Sequence, residues 1–127
     1  MNDAEVYKRQ DLLEIYKNPS NKGVIDGATV SIVEENPLCG DVLTLDLLIE
    51  DKVIKNAKFS GDHCAVSVIS AEYLLEEVIG RDLKYAKSVD KEKLLALIGI
   101  ELTTSRVRCA TLILDALKNA LKKYDKK

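Results

Sequence analysis

Three cysteines, Cys39, Cys64 and Cys109, one histidine, His63, and Asp41, two positions after the first cysteine, are the side chains of this 127-residue chain best suited to chemistry. A thiolate is both a nucleophile and a soft metal ligand, and a carboxylate beside it adds a hard oxygen. Cys39, Asp41, Cys64 and Cys109 together make the kind of donor set that tetrahedral zinc or a [2Fe–2S] cluster accepts. No CxxC pair is present, so spacing alone is weak evidence, and any one cysteine taken alone reads better as a small buried apolar residue. Their settings say more. Cys39 lies in the turn-forming run Asn36-Pro37-Leu38-Cys39-Gly40-Asp41, Cys64 follows Gly61-Asp62-His63 at the expected start of a helix, and Cys109 falls in the expected opening turn of the last helix. Backbone N–H groups and the positive end of a helix dipole favour thiolate over thiol at such places. Arg106 and Arg108 flank the third cysteine and add positive charge, or simply form a solvated helix face. His63 is a candidate further ligand or proton carrier, although a lone histidine is more often a surface residue.

The elements that must position these residues follow from periodicity. Val6, Leu12, Leu13 and Ile15 among charged residues predict an amphipathic helix over Asp3 to Tyr16, ending before Asn18-Pro19. A loop rich in Asn, Pro, Ser and Gly comes next. From Ala28 to Ser60 the period falls to two: Thr29 to Ile32 alternates, and Leu43, Leu45, Leu47 and Ile49 share one face against Thr44 and Asp46. With Glu50-Asp51-Lys52 as a polar connection to Val53–Phe59, a three-stranded antiparallel meander is expected. Helical spacing returns from Ala65 to Ile79, with Gly80 as a stop, and again from Lys91 to Ile98 between an Asp90 cap and Gly99. Val107, Ala110, Leu114, Leu117 and Leu121 form the stripe of a last helix, with Lys122 and Lys123 at its negative end. The class expected is α+β, a three-stranded antiparallel sheet packed against helices, in a single domain over residues 1–127.

Composition excludes several function classes. A net charge of -2 supplies no field for a polyanion, and the five lysines from Lys118 to Lys127 are a tail feature, so no nucleic-acid partner is expected. No apolar run approaches the roughly 20 residues that cross a bilayer, and the N-terminal residues lack the pattern of a signal peptide, which predicts a cytoplasmic protein with no membrane partner. Three cysteines cannot all pair within one chain, so free thiols are expected. There is no glycine-rich phosphate loop and no G-x-S-x-G elbow, and one histidine leaves few triads to build, so hydrolase and nucleotide-binding readings drop out.

Four runs, Tyr16-Lys17-Asn18-Pro19-Ser20-Asn21-Lys22-Gly23, Asn36-Pro37-Leu38-Cys39-Gly40-Asp41, Cys64-Ala65-Val66-Ser67 and Arg106-Val107-Arg108-Cys109-Ala110-Thr111-Leu112, resemble the IscU/SufU/NifU-N family of iron–sulfur cluster assembly proteins. Their order along nearly the whole chain is far more specific than any one of them. The resemblance implies a scaffold that accepts sulfur from a cysteine desulfurase, assembles a labile [2Fe–2S] cluster and transfers it to downstream apo iron–sulfur proteins. The ligands it implies are Cys39, Asp41, Cys64 and Cys109, with Cys109 and Cys39 as candidate sulfur acceptors. The alternative it carries is a zinc-binding, SufU-like sulfurtransferase, a persulfide acceptor that stimulates the desulfurase. The histidine that IscU-type members usually carry before the third cysteine is replaced here by Arg108, and the Arg106-Val107-Arg108-Cys109 run looks more like the SufU branch, whereas the stretch from Gly80 to Ser105 is short for that branch's insertion. His63 stands where the family's G-x-G-C run has glycine. A purely structural protein that keeps the fold and has lost the chemistry is the third reading, disfavoured because all four candidate ligands are present.

Overall fold

The computed structural model describes residues 10–36, 40–62, 64–99, 102 and 104–126. Along these, α1 (Gln10–Lys17) precedes strands β1 (Val30–Asn36), β2 (Asp41–Glu50) and β3 (Val53–Asp62). Four further helices follow: α2 (Ala65–Val78), α3 (Leu83–Ser88), α4 (Lys91–Ile98) and α5 (Thr104–Asp125).

The strands form an antiparallel sheet in the order β1-β2-β3, so the meander and the α+β class expected from the sequence are present. Alternation sets the register. Leu43, Leu45 and Leu47 are fully buried on one face of β2, and Phe59 and Ala57 of β3 are buried with them. The β2–β3 connection closes on Asp51 and Lys52, both at positive φ (54° and 61°), which is the backbone of a type I′ turn whose twist matches the strands. The opposite face of β2 is partly covered as well. Asp46 is buried there because the loop before β1 folds over it, with the Ile25 N–H at 3.0 Å and the Ser31 hydroxyl at 2.6 Å from its carboxylate oxygens.

Helix α5 packs on β1 and β2, and α2 packs on α5 and against β3. This explains why α2 is buried almost all round, from Ala65 to Val78, and carries little amphipathic contrast. Asp90 caps α4 by accepting from the Lys93 N–H, and Gly99 ends it at φ 71°, as the sequence predicts. Two expectations change. Helix α3 is not among the elements the periodicity predicts, because six residues are too few to show a period, although Asp82 caps it through the Tyr85 N–H. Helix α5 begins at Thr104, so Cys109 lies in its second turn and not its opening one. The part of the first helix expected before Gln10 lies outside the described residues.

Candidate metal centre

One end of the sheet gathers the chemistry. Asn36, the last residue of β1, and Asp41, the first of β2, are cross-strand partners, and the Gly40 N–H returns to the Asn36 carbonyl at 2.9 Å with Gly40 at φ 73°. At the same end, β3 runs toward α2, whose N-cap is Cys64. Helix α5 crosses so that its second turn brings Cys109 to the same point.

The Sγ atoms of Cys64 and Cys109 and a carboxylate oxygen of Asp41 all lie within 4.8 Å of one another. Asp41 and Cys109 are buried, at 5% and 2% exposure, while Cys64 is partly exposed and leaves the cluster an opening. Zinc–sulfur bonds of about 2.3 Å place tetrahedral donors about 3.8 Å apart, so the three atoms need only a small contraction to hold an ion. Two soft sulfurs and one hard oxygen suit zinc or iron, and leave a fourth position for another donor.

The centre is tied together by groups that are not themselves ligand candidates. The Cys64 N–H donates to Asp41 Oδ1 at 3.1 Å, and the hydroxyl of Ser67, 1% exposed, lies 2.6 Å from Asp41 Oδ2 and 3.0 Å from the backbone carbonyl of Cys109. The same hydroxyl is 3.5 Å from the Cys64 sulfur. One turn further along α2, the Ser70 hydroxyl donates to the Ala110 carbonyl, a second fastening between α2 and α5. Asn36 places its side-chain amide 3.9 Å from the Cys109 sulfur. A signal for Ser67 did exist, because residues three apart on a helix share a face and Ser67 is three past Cys64.

Of the residues expected at the site, Asp41, Cys64 and Cys109 come together, and Cys39 and His63 lie outside the described residues. Arg106 is half-buried in the first turn of α5. Arg108 is exposed and lines an open cleft of about 240 Å³ with Glu35, Asn36, Thr111, Leu112 and Asp115. Burial, reinforced by the nearby Glu34, pushes the Asp115 carboxyl above its usual range.

The chain's relatives bear on this centre. The family model of the NifU-like N terminal domain matches residues 7–127. This chain belongs to that family. Among its relatives, the zinc-dependent sulfurtransferase SufU of Bacillus subtilis is 31% identical, over 92% of this chain and 90% of that protein. The iron–sulfur cluster assembly scaffold protein IscU of Thermotoga maritima is 33% identical, over 91% of this chain and 92% of that protein. In fold, this NifU-like domain superposes on the N-terminal NifU-like protein of Brucella abortus with a TM-score of 0.78, covering 99% of each chain at 17% identity. The family resemblance drawn from the four sequence runs and the α+β architecture therefore both hold. No helix of the described residues is long and apolar enough to cross a membrane.

Proposed function

We propose that this NifU-like domain is a scaffold for iron–sulfur cluster assembly, which accepts sulfur from a cysteine desulfurase and holds a labile [2Fe–2S] cluster until an apo protein takes it. The observation that carries the reading is the convergence of Asp41, Cys64 and Cys109 from three separate elements onto one point. Iron–sulfur assembly by the Thermotoga relative, matched over nearly its full length, supports it. Cys39 is assigned as the fourth ligand because the residues flanking its segment, Asn36 and Gly40, are hydrogen-bonded to each other and Asn36 reaches the Cys109 sulfur.

In sulfur uptake, the thiolate of Cys109 or Cys39 attacks the outer sulfur of the desulfurase persulfide. A new S–S bond forms on this chain, the old one breaks, and the desulfurase cysteine leaves as a thiolate. Partly exposed Cys64 gives a donor an opening to the centre. The cluster is cargo, so the ligand set must release it as well as hold it, and a carboxylate among thiolates is the corner that exchanges most readily. The cytoplasm is the compartment assigned, where thiols stay reduced.

The test is reconstitution without oxygen, from ferrous iron, cysteine, a desulfurase and a dithiol that reduces the persulfide sulfur to sulfide, with iron, sulfide and zinc quantified in the wild type and in Cys39→Ser, Cys64→Ser and Cys109→Ser. Iron and sulfide bound in equal amounts, lost in each variant, is the expected result. Stoichiometric zinc with stimulation of the desulfurase, and no retained iron or sulfide, would replace the scaffold by a zinc-bound sulfur relay.

A further inference from the structure

Ser67 is not a ligand candidate, yet its buried hydroxyl meets three groups of the centre: Asp41 Oδ2 at 2.6 Å, the Cys109 carbonyl at 3.0 Å and the Cys64 sulfur at 3.5 Å. A serine hydroxyl carries one proton and two lone pairs. It cannot donate fully to the carboxylate and to the carbonyl at once. The 2.6 Å contact is of the short, charge-assisted kind, so the Ser67 hydroxyl donates to Asp41 Oδ2. The other oxygen, Oδ1, takes the Cys64 N–H. Both oxygens of Asp41 are therefore already held by donors of this chain.

A metal ion that took Oδ2 between Cys64 and Cys109 would share that oxygen with the Ser67 proton, on its second lone pair, and each would draw on the charge the other needs. The geometry offers a way to yield. Rotation about the Ser67 Cβ–Oγ bond turns the proton to the Cys109 carbonyl, where it keeps an acceptor while Oδ2 becomes free. We infer that Ser67 is a positioning residue that keeps Asp41 in reserve, holding its carboxylate off the ligand set and releasing it by turning to the carbonyl of Cys109. Asp41 is then an exchangeable ligand because its own chain contests it, and not only because oxygen is harder than sulfur. The inference deepens the proposed function and rests on the cluster being a metal-binding site.

Cobalt(II) alone is the probe, titrated without oxygen into the wild type, Ser67→Ala, Ser67→Thr, Asp41→Ala and the double variant Asp41→Ala/Ser67→Ala. Thiolate-to-cobalt charge transfer reports the sulfurs, the d–d bands report the oxygen, and competition with a chromophoric chelator gives the affinity. Ser67→Ala should bind up to roughly tenfold tighter, the equivalent of one hydrogen bond to a charged group no longer competing, with shifted d–d bands. Ser67→Thr, which keeps a hydroxyl, should bind as the wild type does. In the Asp41→Ala background, removing Ser67 should change nothing.

Weaker or unchanged binding by Ser67→Ala overturns the inference, as does an equal change with and without Asp41, which would make Ser67 a packing residue. Alanine favours a helix more than serine, so Ser67→Ala is expected to fold. Metal-free thermal unfolding of each variant checks this, and Ser67→Thr binding unlike the wild type overturns the inference on its own. If the wild type shows no thiolate-to-cobalt charge transfer, the metal-binding reading itself falls. That outcome is distinct from a wild type that binds cobalt and a Ser67→Ala variant that binds it no better.

Discussion

The side-chain amide of Asn36, at the end of β1, stands 3.9 Å from the sulfur of Cys109 on α5, joining residues 73 apart in sequence. An N–H aimed at sulfur supports negative charge there, weakly at this length, by about 0.5–1 kcal/mol. Asn36→Ala should therefore slow persulfide transfer to Cys109 by roughly two- to fivefold. Asn36→Asp, which puts a negative charge beside the sulfur, should slow it more. Mass spectrometry of Cys109 during turnover of a desulfurase measures both. Equal rates for all three proteins would show that the amide does not act on the sulfur.

Asp41 has a structural role apart from any metal. Its carboxylate accepts from the Cys64 N–H that opens α2 and from the Ser67 hydroxyl, and it is 5% exposed. In Asp41→Ala the Ser67 proton can turn to the Cys109 carbonyl, but the Cys64 N–H loses this acceptor. A cost of about 1–3 kcal/mol is expected in the metal-free protein. Asp41→Asn keeps one acceptor oxygen and should recover part of it. Urea unfolding with chelator and reductant present tests this, and a metal-free Asp41→Ala as stable as the wild type would contradict it.

How much of this was legible in the sequence depends on the range of the cause. The β2 face of Leu43, Leu45 and Leu47 and the Asp90 and Gly99 ends of α4 are local, and each was predicted. Asp46 reads as a solvent-facing residue of β2 by alternation, and is buried because a loop from elsewhere in the chain covers that face. The meeting of Asp41, Cys64 and Cys109 is long-range, and only the order of the family's motifs made it predictable. Asn36 and Ser67 stood inside those motifs. Neither side chain is a metal donor of the usual kind, so residue type alone does not mark them, and their role of holding the ligands in place depends on contacts far apart in the chain.

Gly40 lets the chain turn back into β2 just before Asp41. Its φ is 73°, and a Cβ added there would meet no atom within 4 Å. Any cost of Gly40→Ala is therefore backbone strain, about 1 kcal/mol, or a fall in Tm of about 4 °C. Gly40→Asn, whose side chain tolerates the left-handed region, should lose less. Differential scanning calorimetry orders the three. An alanine variant that matches the wild type would mean that the turn relaxes to negative φ.

Glu72 of α2 carries a pH-dependent cost. Its carboxylate is 5% exposed and accepts from the backbone N–H of Asn21 at 2.7 Å, while the Asn21 side-chain amide reaches Glu76 at 2.9 Å. Burial is the main cause that raises its pKa above the ordinary value, the charge of Glu76 adds to this, and the hydrogen bonds from the Ser20–Asn21 loop oppose it. A raised carboxyl pKa means that the folded protein holds this proton to higher pH than the unfolded chain does. Stability from this group therefore falls as pH rises from about 4.3, the ordinary glutamate value, through the raised one, and the full cost is present at neutral pH. Below about pH 4 both states are protonated and the cost vanishes. Glu72→Gln does not titrate and keeps an oxygen for the Asn21 N–H. The Tm of Glu72→Gln minus that of the wild type should therefore grow from pH 4 to pH 7.5, whatever its sign at pH 4. Thermal unfolding across that range decides it, and a difference that stays flat or shrinks would mean that the Asn21 contacts hold Glu72 ionised without cost.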